Sequence, residues 1–158
     1  MIIATFILIV ATALFFFYLQ AACQNIMRRQ FGRDYFQPVA HANRLEFPSL
    51  RKSLEEFGSP VDYPRVSMML KCDFLALTYL LKKSANANPP YSYDECLLIL
   101  YFRCELISLA VRHLLKASEK TAILQLTSVL QYFANVVGWR VDAARFGSLA
   151  STEYFLQS

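Results

Sequence analysis

The amino-acid sequence predicts an all-α protein, with one N-terminal transmembrane helix followed by a small bundle of three long helices and one short helix. Residues 2–19 contain no charged side chain, and two threonines are their only polar members. Apolar residues recur at helical spacing in three later segments. The 158 residues include only four glycines and six prolines, too few for the turns of a many-stranded β fold.

The N-terminal apolar segment has the length of a membrane-spanning helix. A span across a hydrocarbon core about 30 Å thick needs about 20 apolar residues, which residues 2–23 supply. A cleaved signal peptide is the competing interpretation, because two alanines precede Cys23 as at a lipoprotein cleavage site. The lack of basic residues before the apolar run, and the length of that run, favour an uncleaved anchor. A buried core helix is disfavoured because the segment is apolar on all sides. We therefore expect residues 1–27 to anchor the chain in a lipid bilayer.

The net charge of +4 lies entirely beside this segment. Residues 24–52 carry six basic and two acidic side chains, whereas residues 53–158 carry ten of each. Residues 28–60 thus form a basic juxtamembrane segment, and the folded domain beyond it is neutral, which argues against a nucleic-acid partner. Basic residues beside a span stay preferentially on the cytoplasmic side, so we expect the N-terminus outside and the helical domain in the cytoplasm. The side chains predicted to contact the membrane surface are Arg28, Arg29, Arg33, Phe31, Tyr35 and Phe36.

Between the anchor and the bundle, the sequence predicts short elements. Residues 24–36 are expected to continue the first helix to a stop near Gly32, and Pro38 opposes further extension. Residues 41–47 are interpreted as a connector, and residues 49–57 as a short surface helix with charges of alternating sign.

Residues 61–158 are predicted to form the helical bundle domain with a C-terminal tail. The first long helix is expected over residues 63–84. The second is expected over residues 93–117, where Ser92 and Glu95 match a capping box. This second helix is apolar on most faces, so it is interpreted as the central helix of the bundle. A second membrane span is the alternative, but Arg103 and Glu105 would then lie at costly mid-bilayer positions.

The third long helix is expected over residues 119–139, where the apolar pattern is most regular. Its predicted buried face contains Leu126, Val129, Leu130 and Phe133, with Gln131 on the opposite side. Gly138 is interpreted as its stop signal, and residues 141–158 as a tail with little helical pattern.

The sequence contains no recognisable catalytic, cofactor-binding or metal-binding motif. His41 and His113 are its only histidines, and no C-x-x-C pair occurs. No cofactor or metal is therefore expected. Of the four cysteines, Cys23 lies at the end of the anchor. The other three lie inside apolar helical patterns and are interpreted as reduced core residues: Cys72, Cys96 and Cys104.

Asp73 and Glu105 are the most informative acidic residues, because each lies within an apolar helical pattern. A buried carboxylate needs a partner. A structural pair with a basic residue on another helix is the favoured interpretation, and a functional site is the alternative. The candidate basic partners are Lys71, Arg103 and Arg112.

Two classes of function are compatible with these features. The first is a non-enzymatic interaction module tethered to the membrane, such as an accessory subunit or an adaptor that holds a protein partner there. The second is a small membrane-associated enzyme or lipid-binding protein. The lack of a motif favours the first class. A deep pocket lined by Asp73, Glu105 and an arginine would favour the second, and a continuous exposed apolar patch would favour the first.

Overall fold

A computed structural model of the chain describes residues 1–29, 31–56, 62–84 and 91–156, with side chains up to Arg145. These residues form six helices and no strand, which confirms the all-α prediction. The helices are α1 (Ile2–Met27), α2 (Phe36–Ala42), α3 (Phe47–Glu56), α4 (Tyr63–Ser84), α5 (Tyr93–Leu114) and α6 (Lys120–Leu156). The sequence predicts five of them, and α2 is the additional one.

The bundle is assembled around α6, which contacts each of the other five helices. Its predicted apolar face is the core: Leu126, Val129, Leu130 and Phe133 are all fully buried. The expectation that the second long helix is central is therefore wrong, since α5 packs mainly on α1 and α6. The physical reason is that α6 carries small residues among its large ones, so that neighbouring helices can approach from several sides.

The directions of the helices follow from the ring contacts between α4 and α5. Tyr63 stacks on His113 and Phe74 stacks on Phe102, each with ring centroids 4.1 Å apart. Because these pairs run in opposite chain order, α4 and α5 are antiparallel. Since a short turn joins α5 to α6, α6 runs antiparallel to α5 and in the same direction as α4.

Only the last part of α1 belongs to the bundle. Leu19 and Cys23 are buried in the core, and the Cys23 thiol donates to the carbonyl oxygen of Leu97, with sulfur and oxygen 3.8 Å apart. From Ile2 to Tyr18, by contrast, every residue is exposed. This helix is long and apolar enough to cross a membrane. The exposed part therefore projects from the bundle as a free apolar rod.

The segment after α1 differs from the predicted continuous helix. The first helix ends at Met27, and Gly32 lies in the link to α2. Pro38 is the third residue of α2. The first N–H groups of a helix make no hydrogen bond within it, so the missing N–H of proline costs nothing at this position. The predicted connector over residues 41–47 is correspondingly shorter, because α2 extends to Ala42 and α3 begins at Phe47.

The predicted end of the last helix is also wrong, since α6 continues through Gly138 to Leu156. A Cβ at Gly138 would lie 3.0 Å from Tyr35 Cγ and 3.2 Å from Val39 Cγ2, and closer still to Tyr35 Cβ. This glycine therefore lets α2 pack closely against α6 instead of ending the helix. Most of the predicted tail belongs to α6, while residues 157–158 and the predicted break at residues 85–90 lie outside the described residues.

Candidate interaction surfaces

The three arginines predicted to contact the membrane surface are exposed. Arg28 and Arg29 line a cleft of about 500 Å³ whose other walls include Arg51, Gln131 and Tyr132. They thus lie beside the bundle, at the end of α1 that is remote from its free part.

The three aromatic residues predicted for the same surface contact the bundle. Phe31 packs edge-on against Tyr132, with ring centroids 5.6 Å apart, and Phe36 packs against Phe47 at 6.0 Å. The Tyr35 backbone N–H donates to Asn135 Oδ1, and its hydroxyl donates to Asp142 Oδ2, each over 2.9 Å. Phe31 and Tyr35 thus attach the start of α2 to α6, and Phe36 joins α2 to α3. The contact of all six predicted residues with lipid stays a prediction.

An exposed apolar stripe runs along α4. Met68, Leu75 and Tyr79 are 67%, 66% and 64% exposed, and Cys72 between them is also exposed. Their spacing of four, three and four residues places them on one face of the helix. The expectation that Cys72 and Cys96 are core residues is therefore wrong, since both are exposed, whereas Cys23 is buried and Cys104 is half-buried.

The edges of this stripe are basic. Two cations lie on each side of it by helical position, all of them exposed: Arg65 and Lys83 on one side, Lys71 and Lys82 on the other. The single acidic residue of α4, Asp73, is buried. We call these eight residues (Met68, Cys72, Leu75, Tyr79 and the four cations) the α4 face.

The buried Asp73 carboxylate has a structural role. Its Oδ2 accepts the backbone N–H groups of Glu46 and Phe47 over 3.0 Å and 2.8 Å. It therefore caps the free N–H groups at the start of α3, and these backbone groups take the place of the predicted lysine or arginine partner. Burial raises the pKa of Asp73, and the two hydrogen bonds offset part of that rise.

Glu105 links three helices. The Gln125 side-chain amide is oriented with its nitrogen toward Glu105, and Nε2 donates to both carboxylate oxygens over 3.2 Å. Its oxygen, Oε1, accepts from Gln20 Nε2 over 3.1 Å. Residues of α5, α6 and α1 are thereby connected. Burial raises the pKa of Glu105, and the positive charge of Arg112 lowers it in part.

Among the residues that the structure describes, Asp73 and Glu105 line different clefts. Asp73 lines a cleft of about 520 Å³ with Arg44 and Arg65. Glu105 lines a different cleft of about 400 Å³ between α1 and α5, together with Arg112. Neither of these two clefts is the pocket with both acids and an arginine that would favour an enzyme.

The two capping-box residues and His113 have structural roles. The predicted capping box is confirmed, because Ser92 and Glu95 exchange hydrogen bonds at the start of α5. Glu95 also forms a buried ion pair with Arg140, with Oε1 and Nη2 2.7 Å apart. His113, near the end of α5, lies 2.8 Å from the Glu119 carboxylate.

Within the described ranges, no three histidine, cysteine or acidic side chains are grouped so that they could hold a metal ion. Comparisons with protein-family models, curated proteins and solved structures find no match for this chain. The exposed surfaces of the molecule are therefore the features that bear on its function.

Proposed function

We propose that this protein is a non-enzymatic interaction module, tethered to a membrane by α1, whose helical bundle faces the cytoplasm and binds a protein partner. The observation that carries the proposal is the α4 face, a helix-long apolar stripe with cations on both edges. Apolar surfaces of this kind, bordered by polar residues, are typical of interaction sites.

The exposed apolar rod from Ile2 to Tyr18 supports the tether, because such a surface is stable only when lipid or protein covers it. The burial of Leu19 and Cys23 supports retention of α1 in the mature protein, since cleavage before Cys23 would remove a core side chain. Arg28, Arg29 and Arg33 lie shortly after the apolar segment, which favours a cytoplasmic location for the bundle.

The chemistry of the α4 face favours an amphipathic helix with acidic flanks as its partner. An apolar stripe at i, i+4, i+7 and i+11 matches the apolar face of a second helix. The cations at both edges would pair with acidic residues beside that face and would disfavour basic partners. We therefore expect the partner to be a component at the same membrane that presents such a helix.

The partner surface can be tested by co-purification of the full chain from mild detergent. Leu75→Glu places a charge in the centre of the stripe and should abolish capture of a protein that the native chain retains. Val141→Glu is the matched control, since Val141 is an exposed apolar residue of α6 outside the α4 face. A crosslink through the native Cys72 should identify an acidic amphipathic segment in the captured protein.

Equal capture by the native chain and by Leu75→Glu would overturn the assignment of the α4 face. If the protein captures no partner and instead turns over or extracts a small molecule or a lipid, the non-enzymatic module is wrong and the enzyme or lipid-binding class is correct.

The tether and its orientation have separate tests. Mass spectrometry of the purified protein should detect peptides from residues 2–23, and an N-terminus at Cys23 would show cleavage. A reporter that is active only outside the cytoplasm, fused after Ser158, should be inactive. Activity of that reporter would reverse the proposed orientation.

A further inference from the structure

A basic cleft lies between the C-terminal end of α1, the link that follows it, α3 and α6. Its volume is about 500 Å³, and sites for small molecules usually measure about 300–1,000 Å³. Three of its lining residues are arginines: Arg28, Arg29 and Arg51. None of its described lining residues is acidic. The cleft therefore has the size of a ligand site and an excess of positive charge.

Helical spacing brings the polar side chains of α1 and α6 to this cleft. Gln24 and Arg28 are four residues apart at the end of α1. Along α6, the polar lining residues Ser128, Gln131 and Asn135 are three and four residues apart. Residues at these spacings share one face of a helix. Two polar helix faces thus meet here, and α3 adds a third wall.

The arginines of the cleft are incompletely paired. Arg51 donates from Nε to Glu55 over 3.0 Å and from Nη1 to the Gln131 side-chain oxygen over 2.7 Å. Within the described part of the chain, neither Arg28 nor Arg29 forms an ion pair. Since Glu55 balances Arg51, the charges of Arg28 and Arg29 remain.

The negative groups nearby do not cancel these two charges. Arg29 also lines a neighbouring cleft with Asp94 and Glu95, and Glu95 is already paired with Arg140 over 2.7 Å. The carbonyl end of α1 carries a partial charge of about −0.5. Arg28 and Arg29 together exceed Asp94 and this helix end, so the excess of charge is positive.

The amide side chains contribute hydrogen-bond donors. The Asn135 side-chain oxygen accepts the Tyr35 backbone N–H over 2.9 Å, and the Gln131 side-chain oxygen accepts from Arg51. Because both amide oxygens are engaged within the protein, the two NH₂ groups are the parts left for a ligand. Guanidinium and amide donors without a carboxylate are the chemistry of an anion site.

One side of the cleft is apolar and aromatic. Phe31 packs edge-on against Tyr132, with ring centroids 5.6 Å apart, and Met27 lies on the same cleft. Burial raises the pKa of Tyr132, and the positive charge of Arg29 lowers it in part. The charge of Arg29 therefore acts beside the aromatic wall, and a ligand with both an anionic group and carbon atoms fits this combination.

We propose that this cleft binds a phosphomonoester, with its phosphate group on the three arginines and its organic part against Phe31 and Tyr132. Planar guanidinium groups bind phosphate oxygens through pairs of hydrogen bonds. A phosphomonoester presents three acceptor oxygens, which suits a cleft with many donors. A soluble organic phosphate and the headgroup of a phosphomonoester lipid share this chemistry. The site has no residue in common with the α4 face, so it is independent of the proposed partner.

The experiment measures the thermal unfolding midpoint of the full chain in a neutral detergent by circular dichroism. A ligand of the folded chain raises this midpoint, by about 5–10 °C at 100 times its Kd. The soluble probe is glycerol 3-phosphate, and the lipid probe is phosphatidic acid mixed into the micelles. Phosphatidylglycerol is the phosphodiester comparison, and sodium chloride at equal ionic strength controls for screening.

We expect a rise with a phosphomonoester and none of that size with phosphatidylglycerol or sodium chloride. A rise with glycerol 3-phosphate would support a soluble ligand, and a rise with phosphatidic acid alone would support a lipid headgroup. No rise with either phosphomonoester would overturn the proposal. An equal rise with phosphatidylglycerol or with sodium chloride would overturn it as well.

Arg28→Ala and Arg29→Ala test whether binding occurs in the cleft. Both side chains are exposed, so each change should leave the midpoint without ligand nearly unchanged. Each should raise the Kd of the bound phosphomonoester about tenfold or more, because charged hydrogen bonds are lost. Arg103→Ala is the matched control, since Arg103 is an exposed arginine of α5 outside the cleft. An equal rise in Kd with Arg103→Ala would overturn the site.

Arg29→Lys separates the shape of the guanidinium group from its charge. Lysine keeps the positive charge but lacks the planar group that donates two parallel hydrogen bonds. The variant should therefore recover only part of the affinity that Arg29→Ala loses. Full recovery would overturn recognition through paired hydrogen bonds at this position.

Discussion

Asp73 stabilises the fold, although its position within an apolar helix also suggests a catalytic or binding site. An acid inside an apolar helix is unusual enough to indicate a functional site. Here a single carboxylate oxygen accepts both hydrogen bonds, from backbone N–H groups at the start of α3. The group therefore acts as a helix cap provided by a neighbouring helix.

This role predicts different outcomes for two substitutions. Asp73→Ala leaves two N–H groups near the core without an acceptor and should lower the free energy of unfolding by about 1–3 kcal/mol. Asp73→Asn keeps an oxygen that can accept both bonds and should change it by less than about 1 kcal/mol. Chemical denaturation of the full chain in mild detergent measures both.

The stability contributed by Asp73 has a pH dependence of known sign. Because the pKa of Asp73 is raised above its ordinary value of 3.8, its contribution to stability is fully present below that value and is lost as pH rises through the folded pKa. Asp73→Asn should remove this slope. An unchanged slope in the variant would show that Asp73 is not its source.

Gly138 and Gly32 form a second test at the scale of single residues. Gly138→Ala gains helix propensity but introduces a Cβ against Tyr35, and should cost about 1–3 kcal/mol by separating α2 from α6. A Cβ at Gly32 meets no atom within 4 Å, so Gly32→Ala should be neutral or stabilising by up to about 1 kcal/mol. Similar thermal midpoints for the two variants would contradict the close approach of α2.

At the scale of helices, α4 and α6 show what a regular apolar pattern leaves undecided. Both helices have apolar residues on more than one face, yet α6 leaves no apolar side chain exposed between residues 120 and 137, whereas α4 leaves a full stripe exposed. The difference lies in the neighbours, because α6 is surrounded by five helices. The exposed stripe of α4 is therefore a property of packing, and it is the basis of the proposed partner surface.

The buried face of α6 yields a quantitative prediction. Leu130 and Phe133 are fully buried, so Leu130→Ala or Phe133→Ala should each lower the free energy of unfolding by about 2–5 kcal/mol. Gln131 is half-buried and accepts one hydrogen bond from Arg51 over 2.7 Å, so Gln131→Ala should cost about 1 kcal/mol or less. Equal losses of unfolding free energy at the buried positions and at Gln131, measured by chemical denaturation, would contradict the assignment of this buried face.

At the scale of the whole molecule, α1 has two parts with different roles. Every residue of the rod up to Tyr18 is exposed, whereas Leu19 and Cys23 are part of the core and Gln20 joins the hydrogen-bonded chain to Glu105. One helix thus serves both as a candidate anchor and as a structural member of the bundle, which makes the junction between them rigid.

Two truncations test this division. Deletion of residues 2–18 should leave the thermal unfolding midpoint of the bundle nearly unchanged, since no buried side chain is removed. Deletion of residues 2–27 should lower it by several degrees or prevent folding, because it removes two buried side chains and opens a cavity. Circular dichroism in the same detergent compares the two, and equal midpoints would show that α1 is not part of the core.

The sequence by itself determined those features that depend on composition and local periodicity. The all-α class, the long apolar N-terminal helix, the capping box at Ser92 and Glu95, and the buried face of α6 all arise from residues close together in the chain. Such features are readable because helix hydrogen bonds and side-chain periodicity are local.

Only the tertiary structure decided which helix is central, which apolar face stays exposed and what partner each buried acid has. Gly138 has the sequence signal of a helix end, and its role became clear only from the position of Tyr35, about 100 residues earlier in the chain. The stripe of α4 likewise has the pattern of core residues. Its exposure depends on which helices pack beside it, and contacts between residues distant in the chain leave no periodic signal in the sequence.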